Sequence, residues 1–70
     1  MTLGEKIRKY RILKGWTQKD LGLAVGFSAS TADSRIRKYE KDLMAPKGEI
    51  RAKLADVLDV DLAALSDIDI

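Results

Sequence analysis

The chain has no cysteine and no histidine. Without cysteine there is no disulfide, no thiolate nucleophile and no cysteine-based zinc site. Without histidine, the commonest general base and the commonest transition-metal ligand are both missing. Proline occurs once, at Pro46, and aromatic residues make up 6% of the sequence. No apolar run approaches the roughly 18 residues of a membrane span, and the opening MTLGEKIRKY has no signal-peptide core. There is no P-loop and no GxSxG, and Asp67 and Asp69 stand close together without a cleft to serve. A chain of 70 residues has little room for a deep pocket. The expectation is a protein that is not an enzyme and uses no metal and no cofactor. The lack of cysteine fits a reducing compartment, so a cytoplasmic location is expected, with no membrane partner.

What is present points to one small globular domain. The hydrophobic fraction of 46% is too high for a disordered tail, and the length allows a single thin core. Net charge is only +2, yet it is unevenly placed. All 13 Lys and Arg lie in residues 1–53 against six acids, a balance of +7. Residues 54–70 hold five aspartates and no base, a balance of −5. A basic body suits a polyanionic partner.

Period-two alternation is absent, so the reading is all-α with five short helices. Leu3, Ile7, Tyr10 and Leu13 form one apolar stripe of a helix over 3–14, with Thr2 and Glu5 in capping-box register and Gly15 as its stop. Thr17 caps a second helix, with Asp20 completing a weaker box, Leu21 and Val25 facing inward, and Gly26 ending it. Gly22 lies inside that helix at a cost of roughly 1 kcal/mol relative to Ala. Close approach of another helix is the natural reason for it. Ser30 to Asp33 reads as a capping box for a third helix reaching about Lys41, with Ile36 and Tyr39 inward. A fourth helix starts near Gly48 on Ile50, Leu54, Val57 and Leu58, and a short fifth ends at Leu65. Trp16 and Tyr10 read as core packing.

The segments TQKDLGLAVGFS, IRKYE, the single proline and LADVLDVDLAAL occur in that order over about residues 3–65. Together they resemble the helix-turn-helix of the Cro and phage-repressor class, also called the XRE family. The resemblance implies a lambda-repressor-like DNA-binding domain over residues 1–66. Residues 67–70 are then a tail, or the start of a linker to a C-terminal regulatory region. It implies a regulator, most simply a phage or bacterial repressor, that binds double-stranded DNA as a homodimer on a two-fold operator. Its third helix would read the major groove.

By the same resemblance Thr17 and Gln18 meet a phosphate at the start of the second helix. The reading positions fall on Asp33, Ser34 and Lys38, with Arg35 and Arg37 beside them. Ser28, Ser30 and Thr31 lie in the turn against the DNA. Arg11 and Glu40 correspond to the family's ion pair, and Leu21, Gly22, Gly26 and Ile36 to its packing positions. Because the family usually has Ala where Gly22 stands, Gly22→Ala is expected to be tolerated.

Four features depart from the family pattern. Ser28 to Glu40 spans twelve positions, so SAST resembles an insertion that lengthens the turn between the second and third helices. Asp42 and Asp59 stand where glycine, or asparagine in the second case, is usual. Leu43 and Met44 replace residues that are often polar, and Leu23 falls where the family is exposed and polar. The apolar residues, Asp42 and the insertion support a rival reading, a protein-interaction module on the same fold with DNA binding lost, such as an antitoxin-like or anti-regulator partner. Steep salt dependence of binding would separate the two.

Overall fold

Two threonines set where the first helices begin. In the computed structural model, which describes residues 1–66, α1 runs Leu3–Leu13 and α2 Gln18–Val25. The Thr2 hydroxyl accepts from the Glu5 amide at 3.1 Å, and the Glu5 carboxylate accepts from the Thr2 amide at 2.8 Å. Thr17 and Asp20 repeat the exchange at 3.0 and 2.9 Å. Each box satisfies two backbone N–H groups that a helix start otherwise leaves without a partner. α3 follows over Ala32–Glu40 and α4 over Gly48–Val57. The expected fifth helix is a single 3₁₀ turn, Leu62–Leu65. Four residues are too few to propagate an α-helix without a cap. No strand occurs among the described residues. The expected tail at 67–70 lies outside them.

All four α-helices end in the same way. A residue with positive φ follows the helix, at Gly15, Gly26, Asp42 and Asp59. Each time, the amide of the residue after it reaches back five positions: Trp16 to Arg11, Phe27 to Gly22, Leu43 to Lys38 and Val60 to Ala55. That is the Schellman arrangement. Two of the four carry aspartate in a conformation that glycine adopts more easily.

The core joins all five elements. Ile7, Leu21, Ile36, Leu54 and Leu65 are completely buried. Leu3, Val25, Tyr39, Ala55 and Leu58 complete the cluster, and Tyr10, Trp16, Phe27 and Ile50 pack half-buried against it. Truncating one of the fully buried aliphatics to Ala should cost about 2–5 kcal/mol. Leu13 does not belong to the buried stripe. It is 73% exposed, because the stripe of α1 turns away from the core in its last turn. Ile12 is exposed beside it.

Candidate nucleic-acid interface

The angle between α2 and α3 depends on one glycine. A Cβ placed on Gly22 would fall 2.6 Å from the Ala32 Cβ and 2.7 Å from both the Ala32 Cα and carbonyl oxygen. Close approach of the two helices is therefore the reason for Gly22. The same distances overturn the expectation that alanine is tolerated there. Two of the three contacted atoms are backbone and cannot rotate aside, so even one methyl forces the helices apart. Leu21 and Ile36 lie fully buried on either side of this contact, and Gly26 turns the chain out of α2.

The connection from Gly26 to Thr31 differs from the predicted capping box. Thr31 precedes α3 in a helical conformation and makes no side-chain cap. The hydroxyls bond one another instead: Ser28 to Ser30 at 3.2 Å and Ser28 to Thr31 at 2.9 Å. The Ser28 carbonyl already accepts from the amides of Thr31 and Ala32. SAST is thus a hydroxyl-rich turn coiling directly into α3, not a loop that stands off from it. Ser28, Ser30 and Thr31 are all exposed.

With Ile36 pointing inward, successive residues of α3 rotate by about 100°. Ser34 and Lys38 then lie opposite the core, Arg37 and Lys41 on one shoulder, and Arg35 on the other. Arg37, Lys38 and Lys41 are exposed, and none pairs with an acid among the described residues. Asp33 is exposed in the first turn. Arg35 behaves differently from its neighbours. Its guanidinium carbon sits 3.7 Å from the centre of the Phe27 ring, and it donates to the Tyr39 hydroxyl at 3.4 Å. The seven residues between Phe27 and Arg35 include a turn, so helical spacing gives no sign of this contact.

Below α3 a buried network fixes its C-terminal end. Arg11 Nε and Nη2 donate to the two oxygens of Glu40 at 2.6 and 3.1 Å, and Nη1 donates to the Trp16 carbonyl at 2.8 Å. The side chains are 13% and 3% exposed. Gln18 Nε2 also donates to Glu40, at 3.1 Å. The Gln18 side chain is therefore engaged inside the protein rather than held ready for a phosphate. What α2 presents at its N-terminus is backbone amide. Asp42, at the end of α3, turns its carboxylate back to accept from the Gly4 amide at 2.9 Å. A Cβ on Gly4 would meet the carbonyls of Tyr39 and Glu40 at 2.5 and 2.6 Å. The start of α1 thus abuts the end of α3 closely, and Asp42 caps it. Sequence reasoning missed this pair; a glycine in the first turn of α1 was the available signal.

A family model described as helix-turn-helix matches residues 7–65. The chain belongs to the helix-turn-helix family. A crystal structure of the transcriptional regulator BswR superposes with a TM-score of 0.86 at 35% sequence identity, covering 93% of this chain. This chain spans 63% of the length of that regulator. No curated protein matches it. Within this helix-turn-helix domain, α2 and α3 are the two helices of the motif, and the Gly22–Ala32 contact sets their crossing. Away from the motif, a cleft of about 470 Å³ opens between the start of α1 and the loop after α3, lined by Leu3, Glu5, Tyr39, Asp42 and Met44. Its two carboxylates, Glu5 and Asp42, are both engaged in helix caps. Glu5 is held below the usual carboxylate range, first by the Thr2 backbone amide and then by the Thr2 hydroxyl. Thr17 does the same to Asp20. No cluster of His, Cys, Asp or Glu suited to a metal ion occurs among the described residues, and no helix there is long and apolar enough to cross a membrane.

Proposed function

We propose that this domain binds specific sequences of double-stranded DNA as part of a transcriptional regulator, with α3 in the major groove. The observation that carries this reading is the outward face of α3. Arg37, Lys38 and Lys41 are exposed there without acidic partners among the described residues, on a helix whose width suits the groove. Family membership and the regulator-like neighbour support it. Ser34 and Lys38 meet base edges, with Lys38 suited to guanine and Asp33 to the cytosine amine. Arg37 contacts the backbone. The free amides at the start of α2, beside Thr17 and Gln18, take a phosphate with help from the helix dipole. The hydroxyls of Ser28, Ser30 and Thr31 border the same strand. We read the protein further as a cytoplasmic repressor of bacterial or phage type, acting as a dimer on a two-fold operator, with no catalytic activity and a regulatory region beyond this chain.

The test is selection of bound sites from random duplex DNA, followed by salt titration on the winner. Lys38→Ala should cost roughly 1–3 kcal/mol at one base pair and relax preference there. Arg37→Ala should weaken all sequences evenly and reduce the salt slope by about one unit. Exposed Leu43 and Met44, at 71% and 41%, favour the rival protein-binding reading. A domain that binds no duplex would favour that rival, whose apolar protein contact should be insensitive to salt.

A further inference from the structure

Among the three cations of α3, Arg35 alone is held against the protein. Its guanidinium carbon lies over the Phe27 ring, 3.7 Å from the centre, the geometry of a cation over a π face. Phe27 is itself anchored against the core, with its ring centre 6.3 Å from that of Tyr39. The bond to the Tyr39 hydroxyl holds one corner of the fork. No carboxylate pairs with Arg35, and its Nε and other Nη make no hydrogen bond among the described residues. The residue is half-buried rather than buried. An always-charged planar fork, immobilised and without an acid, matches the paired oxygens of a phosphate.

Its placement on the helix decides which phosphate. Arg35 and Arg37 lie about 100° to either side of the inward Ile36 and so occupy opposite shoulders of α3. A helix about 10–12 Å across fills a major groove about 12 Å wide. Shoulders on opposite sides then face opposite strands. We infer that Arg35 is a pre-ordered backbone clamp, gripping a phosphate on one strand while Arg37 grips the strand across the groove. Phe27 is a positioning residue that acts through Arg35. This rests on the DNA-binding reading above, and it assigns Arg35 a backbone role instead of base contact. Two grips on opposite strands would fix the roll of α3 in the groove, which a single shoulder cannot do.

The experiment uses the whole chain and its selected duplex, with methylphosphonates neutralising single phosphates one strand at a time. Arg35→Gln should bind roughly tenfold more weakly and lose about one unit of salt slope. Arg35→Lys should keep the slope, since the charge remains. Phe27→Leu should also keep the slope while binding several-fold more weakly, because the cation is present but no longer ordered. The Arg35→Gln loss should vanish when one phosphate is neutralised, on the strand opposite to the phosphate that silences Arg37→Gln. Helical circular dichroism confirms that each variant is folded, and Arg35→Ala, with the same expected loss of slope, serves if Arg35→Gln is not. An unchanged slope for Arg35→Gln, or both arginines silenced from the same strand, overturns the clamp while leaving DNA binding intact. Wild-type protein that selects no duplex overturns the reading beneath it instead.

Discussion

Gly22→Ala isolates the contact that sets the helix-turn-helix angle. The added methyl would sit 2.6 Å from the Ala32 Cβ, where carbon atoms prefer about 3.5–4.0 Å. The helices must therefore separate by about 1 Å. Alanine gains up to about 1 kcal/mol in helix propensity over glycine. Overpacking a close contact costs roughly 1–3 kcal/mol, and contact with backbone atoms puts this site at the upper end. The expected net loss is about 1–2 kcal/mol. In a domain of this size each kcal/mol lowers Tm by about 4–8 °C. Urea melts should show a lower midpoint with an unchanged m-value. Ala32→Gly in the alanine background removes the methyl–methyl clash but leaves the Cα and carbonyl contacts, so it should restore only part of the stability. The coupling in that cycle should exceed about 0.5 kcal/mol. A Gly22→Ala protein as stable as wild type, or more so, would refute the tight crossing.

The Arg11–Glu40 pair predicts a second cycle. Removing either partner leaves a buried charge and should cost about 3–5 kcal/mol, while replacing both with apolar residues should cost less than the sum; coupling near zero by denaturant melts would count against it. Asp42 and Asp59 should respond differently to glycine. At Asp59 the relief of positive φ, about 1 kcal/mol, opposes only the loss of an exposed bridge to Lys14 worth about 0–1 kcal/mol. At Asp42 the same relief is offset by loss of the Gly4 cap, about 1 kcal/mol. Asp59→Gly should therefore melt higher than Asp42→Gly, and equal melting temperatures would remove the cap from the account. Last, the folded-state pKa values of Glu5 and Asp20 are depressed. Their stabilisation is present above the ordinary carboxylate range and is lost as pH falls through the folded values. Glu5→Gln with Asp20→Asn should flatten the acid limb of stability, from the ordinary carboxylate range downward, which an acid titration followed by circular dichroism would test.

Helix starts and stops were legible wherever the cap is made by a short local exchange. Thr2 with Glu5 and Thr17 with Asp20 are three residues apart, so their chemistry can be read without knowing the fold. The start of α3 was not legible in this way. Ser28, Ser30, Thr31 and Asp33 offer several capping registers with equal local merit, and tertiary packing chose among them. Burial of Ala32 under Gly22 fixes where α3 begins, and the hydroxyls then satisfy each other. Leu13 misled for the same reason. Its spacing from Ile7 and Tyr10 is helical, but none of the described elements covers Leu13, which is exposed.

The two aspartates show how a departure from a family pattern can be read in two ways. At the sequence level Asp42, standing where glycine is usual, counts as evidence that DNA binding is lost. In the fold its carboxylate is directed at the Gly4 amide, across the joint between α1 and α3. A glycine at that position would end α3 equally well but would leave that amide without its partner. The left-handed backbone of Asp42 is what aims the carboxylate, so the strained conformation and the cap are one device. Asp59 has nearly the same φ, yet its carboxylate is 75% exposed and bonds Lys14 at the surface. The same substitution of aspartate for glycine therefore does structural work at one helix end and little at the other. Only the position of Gly4, thirty-eight residues away, distinguishes them.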